Sequence, residues 1–269
     1  GSDLRSDDCR RSMNEIHPTS IIENGAEIGE DAKIGPYCCI GPNVKIGARV
    51  ELKSHVVIGG RTEIGDDCKV FPFASIGLQP QDLKFGGEKS TLSIGDRNIV
   101  REYVTMNPGT EGGGLATEIG NDNLFMVGAH VAHDCTVGSN VVMANNATLA
   151  GHVIVEDYAI IGGLAAIHQF CRIGRHAMVG GMSGVENDII PYGSVMGGRA
   201  WLSGLNLIGL KRRGFSKDEI QSLRVAYRQL FADEGLLSER IEDVADQFPD
   251  VDAVREIVEF MRAESQRGL

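Results

Sequence analysis

Residues 143–173, MANNATLAGHVIVEDYAIIGGLAAIHQFCRI, carry a large apolar side chain at every sixth position: Met143, Leu149, Val155, Ile161, Ile167 and Ile173. Towards the C-terminus the beat continues to Val179 and Val185. Towards the N-terminus it runs through Val137, Val131 and Phe125 to Ile119. A shift of one residue separates this run from Met106, Val100 and Ile94, and the beat then returns at Ile76 and every sixth residue down to Ile16. A helix repeats near 3.6 and a strand at 2, so neither alone makes this period. An internal repeat of this kind decides the fold. Each hexad reads as a short strand and a turn with its first residue inward, and three hexads close one triangular coil. Successive coils then stack at the ~4.8 Å spacing of hydrogen-bonded strands. The fold class expected is an all-β parallel β-helix over 13–192.

The rest of the composition agrees with a stack of small repeats. There are 35 glycines and only 6% aromatics, which suits many turns and few large core residues. The net charge of −11 argues against nucleic-acid or anionic-membrane partners. No apolar run approaches the ~20 residues of a transmembrane helix. Cys38, Cys68, Cys135 and Cys171 fall at the fifth hexad position, where Ala147, Ala159, Ala165 and Ala177 also fall. They read as small buried hydrophobes rather than disulfides or zinc ligands, as expected of a reduced, cytoplasmic protein. Residues 1–12 break the pattern and read as a tag remnant or disordered tail.

Two stretches leave the beat, 77–93 and the glycine-rich 107–118, and both read as loops on a rigid scaffold, where function concentrates. After Val185 the beat fades, and 191–210 looks irregular. Ser216-Lys-Asp-Glu219 is a capping-box sequence, and helical periodicity follows over about 216–231, 238–247 and 250–262. A C-terminal α-helical domain is therefore expected over 193–269.

The chemistry-bearing residues can be placed by counting. His133 is third in its hexad and should face outward, with Gly151 eighteen residues on and one coil above it. Asp134 and His152 are both fourth in their hexads and should stack on one face. A His beside a carboxylate can act as a general base near neutral pH, and a glycine N–H opposite can support an oxyanion. The plainer reading is a solvated polar face. A third reading is zinc held by outward histidines, as in γ-class carbonic anhydrases, which share the repeat. Lys211-Arg212-Arg213 can meet a diphosphate or an acidic protein, or simply charge a helix entry. A non-enzymatic scaffold or ice-binding prism would want regular Thr ladders, and the chain has none.

At this level of detail the run Asn121–Gly184, the loop Gln81-Asp-Leu-Lys84, the segment Gly209–Ser216 and Arg267-Gly-Leu269 resemble the bacterial UDP-N-acetylglucosamine O-acyltransferases of lipid A biosynthesis. The resemblance implies a left-handed coil, a homotrimer with sites between subunits, and no metal or redox cofactor. It implies transfer of a 3-hydroxyacyl group from the phosphopantetheine of acyl carrier protein to the 3-position of UDP-GlcNAc. Carried over by motif, His133 is the base, Asp134 orients it and the Gly151 N–H supports the oxyanion. His130, His152, His168, Gln169 and Asn206 line the substrate cleft, and Asp82 and Lys84 reach the sugar. Arg212 and Arg213 serve the nucleotide and carrier protein, and Gly181 gauges the acyl chain. The chain departs from the pattern at Asn107-Pro108, where His-Arg is common, and at Ile208, where Glu is common. The first departure leaves open a 3-amino acceptor.

Overall fold

The computed structural model describes residues 14–268. The segment 1–12 lies outside the described residues, as does Leu269. The hexads become strands of two to four residues that assemble into three parallel sheets, the faces of a triangular prism. The first face stacks Glu15–Ile16, Lys33–Ile34, Glu51–Leu52 and so on to Met178–Val179. The second begins with Ile21–Ile22 and ends with Gly184–Val185, and the third runs from Glu27–Ile28 to Arg172–Ile173. Where no loop intervenes, partners in adjacent coils stand eighteen residues apart, as in Val131↔Leu149 and Leu149↔Ile167. The coil is left-handed, against the right-handed rule for ordinary crossovers.

The beat residues line the prism axis. From Ile34 to Val185 they are buried, and Cys38, Cys68, Cys135 and Cys171 lie beside them as free, fully buried thiols at the corners. Burial pushes the Cys135 thiol up to about 12, so it is inert near neutral pH. In the first coil the same positions are less covered, Ile16 being 43% exposed, because no described coil lies beneath it. At most corners the fourth residue of the hexad adopts a left-handed conformation, including Asp134 (φ 59°), Asn140 (59°), Asn146 (57°) and His152 (62°). Asn, Asp and His tolerate this region better than most residues. Tyr and Phe also occupy it, and their rings stack from coil to coil, as in Tyr37, His55, Phe73 and Tyr103 at 5.0–5.2 Å.

The outward positions of the first face change character along the stack. Glu15, Lys33, Glu51 and Lys69 alternate in charge, and above them come Ile99, Leu124, Val142, Ile160 and Met178. None of these five is fully buried.

The segment read as irregular contains an antiparallel hairpin, Gly193–Met196 against Trp201–Leu205, which closes the first face. Its period-2 pattern is too short and too bulged to stand out after a period of six. Four helices follow: α1 (Leu207–Arg212), α2 (Lys217–Leu230), α3 (Leu237–Gln247) and α4 (Asp252–Arg262). Ser216 and Glu219 form the expected capping box on α2. Leu223, Ala226, Leu230, Val244, Val254 and Ile257 make the helical core, which joins the prism through Ile190 and Tyr192. Among the described residues no helix is long and apolar enough to cross a membrane.

His176 sits at this junction, stacked between Tyr158 (4.8 Å) and Tyr192 (5.3 Å) and edge-on to Phe215. Burial, with Arg213 and Arg175 nearby outweighing Asp157, pushes its pKa down to about 4. The unfolded chain therefore takes up this proton below about pH 6.5, while the folded chain resists until about pH 4. Stability from this group is complete above pH 6.5 and falls as pH drops towards 4. His176→Phe should flatten that part of the stability–pH curve, measured by urea unfolding at a series of pH values. In the prism itself, Ile161→Ala should cost roughly 2–5 kcal/mol by opening a cavity on the axis, read as a lowered denaturation midpoint.

Candidate active site

Both loops leave the prism at one corner, between the second and third faces, on successive coils. One departs after Ile76 and re-enters at Thr91, and the other departs after Met106 and re-enters at Ala116. On the next coil that corner is His133-Asp134, above it Gly151-His152, and above that Gln169-Phe170. The coil count thus places the loops directly beside the histidine column.

His133 Nδ1 lies 2.7 Å from Asp134 Oδ2. A carboxylate only accepts, so Nδ1 is the donor here, and in the neutral ring that leaves the lone pair on Nε2. The His133 ring packs against Gly151 of the coil above: a Cβ there would fall 2.5 Å from His133 Cε1, so a larger residue would have to push the imidazole aside. His152 stands edge-on to His133 at 5.1 Å, stacks on Phe170 at 4.5 Å, and reaches Asp134 Oδ2 at 3.9 Å. Burial holds its pKa below the usual histidine range; Asp134 and then Asp82 from the first loop act in the opposite direction.

The Asp134 side chain is fully buried. Oδ1 accepts from the Thr110 N–H (2.8 Å), and Oδ2 accepts from the Thr110 hydroxyl (2.6 Å) as well as from His133. Its own N–H donates to Thr117 Oγ1. Sequence reasoning missed Thr110 and Thr117; the only pointer was the glycine-rich composition of their segment.

His130 bonds Thr105 Oγ1 at 2.7 Å, and burial, then the neighbouring His133, lowers its pKa. His168 Nδ1 receives Arg267 Nη2 at 2.7 Å, and the Gln169 carbonyl receives Arg267 Nε at 3.2 Å. The C-terminal segment thereby ties onto the top of the same column. Asp82 Oδ1 accepts the Lys84 N–H, fixing the turn that displays both residues. Asn107 donates its amide to the Leu78 and Gln79 carbonyls, so this departure from the family pattern anchors the first loop. Ile208, the other departure, is exposed on α1.

Asn206, Arg212 and Arg213 are elsewhere. Asn206 caps α1 and donates to the His176 carbonyl, while Arg213 lies over the Tyr158 ring and bonds the Tyr158 carbonyl. Tyr158 and His176 mark the corner between the third and first faces, so one chain does not bring these residues to His133. Arg212 is exposed beside them. Gly181 lies at the third corner, where a Cβ would approach the Gly163 carbonyl at 3.3 Å.

His133, Asp134 and His152 each offer a ligand atom within 4.8 Å of the others and are the described residues that could hold a metal ion. Ligation through Oδ2 would compete with the Thr110 and His133 bonds already made to that oxygen.

A prism of hexads carrying a His–Asp pair against a glycine at one corner defines a bacterial hexapeptide transferase. Residues 25–60 and 116–151 match the family described as bacterial transferase hexapeptide (six repeats), and 188–269 match UDP N-acetylglucosamine O-acyltransferase, domain 2. The chain is 54% identical over 254 residues to the acyl-[acyl-carrier-protein]–UDP-N-acetylglucosamine O-acyltransferase of Caulobacter vibrioides, covering 94% of this chain and 97% of that one. It is 48% identical to the enzyme of that name from Sinorhizobium fredii, with 96% of each covered. The crystal structure of UDP-N-acetylglucosamine O-acyltransferase from Moraxella catarrhalis superposes with a TM-score of 0.91 at 44% identity, covering 94% of this chain and 98% of that one. The chain belongs to the UDP-N-acetylglucosamine O-acyltransferase family.

The close seat of His133 on Gly151 makes one substitution diagnostic. Gly151→Ala should displace the imidazole while leaving the core intact, seen as a changed His133 ring resonance by NMR with a thermal midpoint within a few degrees of the parent.

Proposed function

We propose that this chain moves a 3-hydroxyacyl group from acyl carrier protein to the 3-hydroxyl of UDP-GlcNAc, the first step of lipid A biosynthesis. The observation that carries the mechanism is the His133–Asp134 pair seated on Gly151. His133 Nε2 takes the proton of the sugar 3-hydroxyl as its oxygen attacks the thioester carbonyl. Asp134 holds the ring and stabilises its protonated form, and the Gly151 N–H donates to the tetrahedral oxyanion. The C–S bond then breaks, His133 returns its proton to the departing phosphopantetheine sulfur, and the ester C–O bond remains. No metal or redox group enters this balance.

The family pattern suggests further roles, which the position of these residues along the column supports. His130, His152, His168 and Gln169 line the cleft along the column, with Asp82 and Lys84 presented to the sugar by the first loop. Asn206, Arg212 and Arg213 serve the nucleotide and the acidic carrier protein from a neighbouring subunit. Two observations support a homotrimer with sites between subunits. The expected site is split between two corners of one prism, and the apolar row Ile99, Leu124, Val142, Ile160 and Met178 lies open on the first face. Gly181 gauges the acyl chain, a residue without a side chain there suiting a longer one. The reaction belongs in the cytoplasm, where acyl carrier protein is charged.

His133→Ala should lower turnover by roughly 10²–10⁴-fold, the usual share of a general base, with trimer and melting behaviour unchanged. The assay pairs UDP-GlcNAc and its 3-amino analogue with a series of acyl carrier protein thioesters. Retention of most activity would remove His133 from the mechanism.

A further inference from the structure

We propose that Thr110 is a positioning residue for the acyl transfer, fixing the Asp134 carboxylate that in turn orients His133; this rests on the reaction assigned above. Thr110 is buried and meets Asp134 with two donors, one to each oxygen. A carboxyl group can rotate about its Cβ–Cγ bond, and a single partner would leave that rotation soft. Two donors from one residue fix the plane. The hydroxyl bond ends on Oδ2, the same oxygen that receives His133 Nδ1. Thr110 therefore sets where that oxygen lies and shares the charge it presents to the imidazole.

Thr110 is itself held. Its carbonyl accepts from Gly113 N–H and Leu115 N–H, closing the turn at Glu111–Gly113. The Glu111 N–H donates to Glu88 Oε1, so the first loop braces the second. Gly113 closes over the carboxylate so tightly that a Cβ there would fall 2.0 Å from Asp134 Cγ. Together these contacts exclude water from the Asp134 carboxylate and leave the side chains of Thr110, His133 and His152 around its oxygens among the described residues.

The test compares Thr110→Val, which keeps shape and backbone N–H but loses the hydroxyl, with Thr110→Ser, which restores it. Both are made in the full chain and in a His133→Ala background, and assayed with UDP-GlcNAc and a 3-hydroxyacyl carrier protein. Losing a hydrogen bond to a buried charged group corresponds to roughly a tenfold to hundredfold effect. Thr110→Val should therefore lower kcat by about that factor with the KM for UDP-GlcNAc nearly unchanged, and Thr110→Ser should recover most of it. In the His133→Ala background Thr110→Val should remove nothing more, because the residue it positions is gone. Gly113→Ala, which keeps the Thr110 side chain but forces its loop away from Asp134, should reproduce the loss, and a Thr110→Val thermal midpoint close to the parent's guards against misfolding. Full kcat in Thr110→Val, failure of Ser to rescue, or an equal further loss in the His133→Ala background would overturn the proposal. Full activity of His133→Ala itself would instead bring down the assigned reaction, and the role of Thr110 with it.

Discussion

Parallel hydrogen bonding between residues one coil apart is the constraint on which everything else in this molecule depends. Once a strand of two residues must pair with the strand eighteen positions on, the same two places in each hexad, the first and the fifth, are turned into the core. The first must be apolar and large, the fifth must be small enough for a corner, and the fourth must accept a left-handed turn. Each rule repeats without regard to what the outer surface carries, so chemistry can be written on the outside at no cost to the core. His133, His152 and Asp134 use this freedom, and Asp134 and His152 also suit the left-handed turns they occupy.

The buried Asp134 is the point where the scaffold has to be supplemented. A carboxylate taken out of water needs donors around it, and a plain hexad corner has none to offer beyond its own backbone. The second loop supplies them through Thr110, and the first loop braces the second through Glu88. Burial also disfavours the protonated forms of His130 and His152, the other imidazoles at this corner.

Counting hexads was enough to bring His133 to Gly151 and Asp134 to His152, because both relations are pure register. It was enough to bury four cysteines for the same reason. Thr110 and Gly113 escaped it because a loop has no period, and nothing in NPGTEGGG says which residue turns inward. The hairpin after Tyr192 escaped because it abandons the rule that made the rest legible. Asn206 and Arg213 show a different boundary: their motif associates them with the site, yet in one chain they stack at another corner. Periodicity describes a chain against itself and is silent about what a neighbouring copy brings.

The two loops also reveal how loosely the length of the chain is bound to the stack. Partners across the first loop are separated by 30 residues and across the second by 25, yet both re-enter in register as cleanly as the uninterrupted coils. A corner of the prism is therefore an open port in the topology. Segments of different size can be spliced in there, and even the one-residue slip in the beat is absorbed before the next strand begins. Substrate range in such a molecule can diverge by exchanging inserts at a single edge while the axial column is inherited whole.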